Sequence, residues 1–217
     1  MKKEINDFSA AARHLEREVE RRFKGKPLKR HILSVAGFAR RLAESAAAGD
    51  RLPEKAYVAG LAHDLYKKHS EKQLREFLRE ESVAVDEYSW TLGGGLLHAP
   101  AAAHYLRTRC SITDATVLAA VYYHTTGRAG ASALDKALFC ADYLDPTREN
   151  HAKESGVAEL REKALTDLDG VYQEVLSRKL IYTIIRGRPL HPFGVQAWND
   201  LCRSDSGGSG HLSKIKR

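Results

Sequence analysis

The segment AGLAHDL, residues 59–65, places an ionisable pair, His63 and Asp64, inside an otherwise apolar run. Burying a carboxylate beside an imidazole is costly unless another charge compensates for it, and a bound cation is a common compensation. Further residues of metal-binding type recur along the chain at His31, His98, His124 and Asp142. The pattern therefore indicates a buried metal centre.

Apolar periodicity predicts that this centre lies in an all-α fold. Apolar residues at 3.6-residue spacing over 28–47 predict a helix that can turn His31 inward. Pro53 and Glu54 begin the next helix, which is expected to carry His63 and Asp64. Further helices are predicted at 70–80, from Ala99-Pro100 onward, and at 114–124, 132–144 and 157–186, with a loop over 82–97. No alternating strand pattern occurs, so we predict a single helical bundle.

Length and composition are typical of a soluble globular protein. The 217 residues are 43% hydrophobic and 29% charged, which predicts one domain with a sizeable core. No segment approaches the roughly 20 apolar residues that span a bilayer, and no apolar stretch follows the basic N-terminus as in a secretory signal. The three cysteines, Cys110, Cys140 and Cys202, form no C-x-x-C pair. These features favour a cytoplasmic location and no membrane partner.

The net charge of +7 is concentrated at the two ends of the chain. Residues 1–30 hold ten Lys/Arg and five Asp/Glu, and residues 203–217 hold four Lys/Arg and one Asp, so residues 31–202 carry about −1. A basic end can bind nucleic acid weakly through phosphates, but such an end is more often simply solvated. The nearly neutral body therefore argues against a nucleic-acid partner.

Each candidate ligand has a structural interpretation as well as a functional one. A single histidine on an apolar face is usually a satisfied core residue, His124 could interact with the end of its helix, and Asp142 could face solvent. The complete set favours metal, because imidazole and carboxylate ligands suit Fe, Mn, Zn, Co or Ni, whereas structural zinc usually has cysteine or closely spaced ligands. Six ligands are too many for one open site, so we predict two ions that share Asp64. The first would be held by His31, His63, Asp64 and Asp142, and the second by Asp64, His98 and His124.

Polar residues near these ligands suggest a phosphorylated substrate. Lys67 lies four residues after His63 and could contact a phosphate or protonate a leaving group, although it could also be a solvated lysine. We predict Asp64 and Lys67 as the catalytic residues. The predicted substrate contacts are the hydroxyls of Thr125 and Thr126, the backbone amide of Gly127, and the guanidinium groups of Arg128 and Arg148, which can bind phosphates bidentately or be ordinary loop cations.

These residues resemble the H…HD…D pattern of HD-domain phosphohydrolases, and their flanking residues resemble the YqeK family within that group. The matching segments are AGLAHDLYK at 59–67, LLHAP at 96–100, YHTTGR at 123–128 and ADYLDPTR at 141–148, followed by Leu190-His191-Pro192 and Ala197-Trp198-Asn199. The resemblance covers an HD hydrolase domain over about 28–201. It leaves an N-terminal helix and linker over 1–27 and a flexible basic tail over 202–217.

The resemblance implies an HD fold with a di-metal centre and symmetrical hydrolysis of diadenosine tetraphosphate to two ADP by a hydroxide that the metals activate. Iron is the first expectation for both ions, with Mn, Co, Ni or Zn as alternatives. The expected partner is a small dinucleoside polyphosphate, and a homodimer is also considered. Two alternatives stay open: an HD-type phosphohydrolase acting on dNDP, dNTP or a signalling nucleotide, and a non-catalytic RNA- or ribosome-associated module that uses the basic ends.

Overall fold

The computed structural model describes residues 7–46, 51–147 and 156–205, without the side chains of 204 and 205. Over these ranges it contains helices and no strand, which confirms the predicted all-α class. The helices are α1 (Phe8–Phe23), α2 (Pro27–Ser45), α3 (Leu52–Ala62), α4 (Glu71–Glu80), α5 (Glu87–Leu92), a 3₁₀ helix (Gly94–Leu96), α6 (His98–Arg109), α7 (Ala115–Tyr123), α8 (Ala133–Tyr143), α9 (Val157–Lys163), α10 (Leu168–Ile185) and α11 (Pro192–Asp205).

Side-chain caps fix where several helices begin. The Ser70 hydroxyl accepts the backbone N–H of Gln73 to start α4, in a reciprocal capping box. Asp114 accepts the N–H groups of Thr116 and Val117 before α7, and Ser132 caps α8 through the N–H of Asp135. The predicted starts of these three helices are therefore confirmed.

The core is formed by α2, α3, α7 and α8, with α1 lying across α3 and α2. The closest approach is between α2 and α3, because a Cβ atom on Gly60 would lie only 2.5 Å from the Cα atom of Ala36. Only a glycine allows the two backbones to come this close. On α1, Leu15 and Val19 are fully buried, so this helix belongs to the same core as α2 and α3. α6 covers α7, while α10 packs on α8 and α11 packs on α10.

Three predicted elements differ from the structure. The predicted loop over 82–97 contains α5 and the 3₁₀ helix, since Asp86 accepts the N–H of Ser89 and starts a helical turn. The predicted helix over 157–186 is interrupted between α9 and α10, where Asp167 accepts the N–H of Gly170 and caps a new helix. α3 ends at Ala62, so His63 and Asp64 lie just beyond it rather than on it.

Two predictions fall on residues outside the described ranges, namely the Gly/Ser part of the basic tail and Arg148. The first residues assigned to that tail continue α11 as far as Asp205. Among the described helices, none is both long enough and apolar enough to cross a membrane. The domain boundaries proposed from the sequence stay predictions.

Candidate metal centre

The predicted ligands meet at helix ends in the middle of the bundle. His31 lies in the second turn of α2, His63 and Asp64 directly follow α3, and His98 is the first residue of α6. His124 directly follows α7, and Asp142 is in the last turn of α8. All six side chains are buried, the most exposed being Asp142 at 8%. Four core helices and the covering helix α6 thus deliver imidazole and carboxylate groups to one place.

The six residues form two groups that share one carboxylate. Ligand atoms of His31, His63 and Asp142 all lie within 4.8 Å of one another, and so do those of Asp64, His98 and His124. Asp64 faces both groups, because its Oδ2 atom lies 3.4 Å from His31 Nε2 and its Oδ1 atom lies 3.0 Å from His98 Nε2. Each oxygen of Asp64 is therefore placed beside a different histidine cluster.

Backbone carbonyls fix the direction in which two of the rings present their lone pairs. His63 Nδ1 lies 2.7 Å from Gly60 O, and His124 Nδ1 lies 2.7 Å from Val121 O. Because a carbonyl oxygen can only accept, both Nδ1 atoms carry the hydrogen, and the Nε2 atom of each neutral ring holds a lone pair. The Nε2 atoms then face other imidazole nitrogens, at 3.3 Å for His63 and His31 and at 3.1 Å for His124 and His98.

Burial and the carboxylates set the charges of these groups. Burial lowers the pKa of His63 and that of His98 to about 4, so both rings are neutral at neutral pH. Burial alone would raise the pKa of Asp64, but the surrounding imidazoles hold it well below its usual range. Burial alone would likewise lower the pKa of His31, whereas hydrogen bonds to Asp142, Asp145 and Asp64 raise it to about 10. The centre therefore combines buried carboxylates with the neutral nitrogen donors of His63 and His98.

This donor set fits metal ions. The Nε2 lone pairs of His63 and His124 converge with carboxylate oxygens, at 3.8 Å from Asp142 Oδ1 and 3.6 Å from Asp64 Oδ1, in a buried space where a cation can lie between them. Among the described residues, the buried Asp64 Oδ1 atom makes no hydrogen bond of good geometry, which leaves a carboxylate oxygen free to coordinate. The side chains are nitrogen and oxygen ligands without any thiolate, a combination that suits several first-row transition metals.

Asp145 is a residue of this centre that the sequence analysis missed. Its Oδ2 atom lies 2.6 Å from His31 Nδ1, and the carboxylate is buried. The hydroxyl of Thr147 also donates to Asp145. A carboxylate on the far nitrogen of a ligand histidine fixes the ring and increases its basicity. The position of Asp145 three residues after Asp142 was the available sequence signal, although its contact with His31 spans 114 residues.

The structure brings Lys67 to the same centre. Its Nζ atom lies 3.4 Å from Asp64 Oδ1 and 3.5 Å from His98 Nε2, while the side chain remains 39% exposed. The predicted helical spacing from His63 is not what places it, because α3 has ended; instead the Lys67 N–H donates to Asp64 O in a tight turn. The side chain of Lys67 therefore lies between the buried ligands and the protein surface.

The predicted substrate contacts at 125–128 lie in the loop after His124. Thr125 and Thr126 are half-buried, and Thr126 Oγ1 donates to the Gly127 carbonyl. Gly127 has φ +72° and is buried against Tyr172, a backbone conformation that favours glycine. Arg128 is engaged in a bidentate ion pair with Asp135, at 2.7 and 3.1 Å. A role for Arg128 in binding phosphate would have to compete with that pair.

Comparisons with known proteins agree with this geometry. The sequence profile of the HD domain family matches residues 28–147. A relative from Halalkalibacterium halodurans, named bis(5'-nucleosyl)-tetraphosphatase, symmetrical, is 34% identical over 148 residues, which cover 68% of this chain and 76% of the relative. A Bacillus subtilis protein of the same name is 28% identical over 171 residues, covering 79% and 87% respectively. A crystal structure from Clostridium acetobutylicum, described as a predicted HD superfamily hydrolase involved in NAD metabolism, superposes with a TM-score of 0.74 at 30% identity, covering 88% of this chain and 97% of that one.

Proposed function

We propose that this chain, which belongs to the HD domain family, hydrolyses diadenosine tetraphosphate symmetrically and releases two molecules of ADP. The observation that carries the proposal is the pair of buried His/Asp groups. One oxygen of Asp64 lies beside His31 of the first group, and the other oxygen lies beside His98 of the second. Relatives that match at least two thirds of this chain are named for that reaction. A polyphosphate fits a site that combines several cation-binding groups with the ammonium of Lys67.

The proposed ligands divide as the two groups suggest. His31, His63 and Asp142 would hold one ion, His98 and His124 the other, and Asp64 would contribute one oxygen to each. Two ions bound in this way would acidify a water and neutralise charge on the attacked phosphoryl group. Iron is the metal we propose first, with Mn, Co, Ni and Zn as the alternatives that a nitrogen and oxygen ligand set also accepts.

The chain's own residues would position the substrate and balance its charge. Asp64 is too deeply buried to reach bulk water, so its role is to hold the two halves of the centre together. Lys67 Nζ is at the solvent side of Asp64 and can contact the phosphate oxygens of the ADP that leaves. Such a cation stabilises the charge that develops as the anhydride bond breaks. The hydroxyl of Thr125 would bind the adjoining phosphate. The Thr126 hydroxyl and the Gly127 amide could join it only by leaving their present acceptors, since Thr126 Oγ1 donates to the Gly127 carbonyl and the Gly127 N–H donates to Tyr123 O at 2.8 Å.

The decisive experiment combines metal analysis with product analysis. The protein is purified anaerobically, its metals are quantified, and its products from diadenosine tetraphosphate are separated by chromatography. We expect about two ions per chain and ADP as the sole nucleotide product. Asp64→Ala should lose metal and turnover, whereas Asp169→Ala, at a carboxylate whose side chain is 79% exposed on α10, should retain both.

The other outcomes separate the alternatives. AMP together with ATP would contradict symmetrical cleavage. Bound metal without turnover would retain the centre and direct the search to dNDP, dNTP or a signalling nucleotide. Neither metal nor turnover would favour the RNA- or ribosome-associated module, whose binding should be sensitive to salt and should disappear when the Lys and Arg residues of 1–24 and 203–217 are neutralised. Substitution is used instead of deletion because α1 is part of the core. A homodimer and a cytoplasmic location stay predictions from the sequence.

A further inference from the structure

A row of aromatic rings begins at Tyr123, which precedes the proposed ligand His124 in the chain, and ends at the protein surface. Tyr123, which directly precedes His124, packs edge-on against Phe193 with ring centroids 5.1 Å apart. Phe193 packs against His191 at 4.7 Å, and His191 against Tyr88 at 6.2 Å. Tyr88 is 55% exposed, whereas Tyr123 and Phe193 are half-buried. We refer to Tyr88, Tyr123 and Phe193 as the aromatic ledge.

We propose that the aromatic ledge binds one adenine base of the substrate by stacking. The identity of this ligand rests on the proposed function, since a dinucleoside polyphosphate carries a base on each side of the bond that is cleaved. Nucleobases stack on aromatic side chains without needing specific hydrogen bonds. Partly exposed rings beside a polyphosphate site have the chemistry that such a base requires.

The position of the ledge suits this role. Tyr123 is the chain neighbour of the proposed ligand His124, and both are at the end of α7. The start of α11 packs directly on the loop after that ligand, because a Cβ atom on Gly194 would lie 3.1 Å from Thr126 O. One phosphate held at Thr125 and Thr126 would leave the ribose and base of the same nucleotide to extend toward Phe193.

A hydrogen-bond network holds the ledge in place. The backbone N–H of Phe193 donates to His191 Nδ1 at 3.2 Å, so the hydrogen of the neutral ring is on Nε2. That Nε2 atom lies 3.1 Å from both Asp86 Oδ1 and Ser89 Oγ. His191 is thus fully engaged in joining the start of α11 to α5, and it is not a free base. The backbone that carries Phe193 is therefore held against α5, so little of its freedom is lost when a ligand binds there.

Trp90, a further aromatic residue on α5, already has cations over its ring. The guanidinium groups of Arg75 and Arg79 each lie 5.0 Å from its ring centroid. Such cation–π contacts on an already half-buried ring anchor the segment after α4. Tyr123 also has a cation near its ring, since the Arg128 guanidinium lies 5.6 Å from the ring centroid. Tyr88, at 55% exposure, therefore has better access to a ligand than either Trp90 or Tyr123.

The test measures binding of ADP and of inorganic pyrophosphate by titration calorimetry on the metal-loaded protein. Stacking of one base is worth about 1–3 kcal/mol, so Tyr88→Leu should weaken ADP binding by roughly tenfold and leave pyrophosphate binding unchanged. Tyr88→Phe, which keeps the ring, should bind ADP as the wild type does. Tyr182→Leu is the matched control, because Tyr182 is 54% exposed on α10. Phe193→Leu, checked for folding by circular dichroism, should repeat the effect of Tyr88→Leu.

The outcomes separate this inference from the proposed reaction. If Tyr88→Leu and Phe193→Leu bind ADP within twofold of the wild type, or lose ADP and pyrophosphate affinity equally, the ledge is not a base site even when diadenosine tetraphosphate is cleaved. If the loss is specific to ADP but the wild-type protein does not cleave diadenosine tetraphosphate, base binding by the ledge is supported and the proposed reaction is refuted. Absence of ADP binding to the wild type also overturns the ledge, and turnover is then judged separately.

Discussion

The close contact between α2 and α3 makes Gly60→Ala a demanding test of the fold that carries the centre. The new methyl carbon would lie 2.5 Å from Ala36 Cα and 2.9 Å from Ala36 N, which are backbone atoms that cannot rotate away. Carbon atoms at optimal contact are about 3.5–4.0 Å apart, so the helices must separate by about 1 Å. Overpacking of this kind costs about 1–3 kcal/mol, and the helix propensity of alanine offsets about 1 kcal/mol. The difference is an expected net loss of about 1 kcal/mol, within a range of about 0–2 kcal/mol.

Gly37→Ala on α2 is the matched control. A Cβ atom at Gly37 meets nothing within 4 Å, and Gly37 is in the interior of the helix. The same chemical change should therefore stabilise the protein, by about 0.5–1 kcal/mol. Urea unfolding of the metal-free variants, followed by circular dichroism, measures both effects as shifts of the midpoint at constant slope. The two alanines should differ in sign.

The same substitution should also affect metal binding. α2 carries His31, while the chain that leaves α3 carries His63, whose Nδ1 atom bonds to the Gly60 carbonyl. Separating the helices by about 1 Å pulls these two ligands apart, so Gly60→Ala should bind metal more weakly and Gly37→Ala should not. Equal stability of the two variants would refute the close packing. Lower stability with unchanged metal affinity would instead refute its link to the ligands.

Three further predictions concern the centre itself. Asp145→Asn should weaken metal affinity by roughly 10- to 100-fold with the fold intact, as measured by competition with a chromophoric chelator; unchanged affinity would show that Asp145 does not position His31. Lys67→Ala should lower kcat by about tenfold or more at unchanged metal content, so full activity would remove it from catalysis. Chelation should destabilise the metal-loaded protein by about 3 kcal/mol for a site held at 100 times its Kd; a melting temperature indifferent to chelator would contradict metal binding by the folded state.

The parts of the fold that local chemistry controls were predictable. The start of a helix could be predicted at Ser70, Asp114 and Ser132, because a short polar side chain satisfies backbone N–H groups that a helix start leaves unpaired. Asp167 acts in the same way, but apolar residues continue on both sides of it, so the periodicity suggested one helix over 157–186. α5 is only six residues long, too short for a periodic pattern to distinguish it from a loop.

The candidate site, too, could be predicted from the sequence only in part. Residue types and flanking segments were enough to nominate the six proposed ligands, and the structure brings them together. Asp145 could not be nominated in this way, because its contact with His31 exists only after α2 and the end of α8 have packed. Arg128 illustrates the converse, since the pairing partner Asp135 that occupies it lies on the next helix. A charged residue near a ligand motif is thus defined by its tertiary partner.

The two histidines that follow helices show how local structure prepares the centre. His63 and His124 each occupy the first position after a helix, and each donates from Nδ1 to the carbonyl three residues earlier. The last carbonyls of a helix have no partner within it, so the ring satisfies one of them. The same bond fixes the tautomer and directs the Nε2 lone pair away from the helix. A proposed metal ligand is therefore oriented by its own helix end, and tertiary packing needs only to bring two such ends to either side of Asp64.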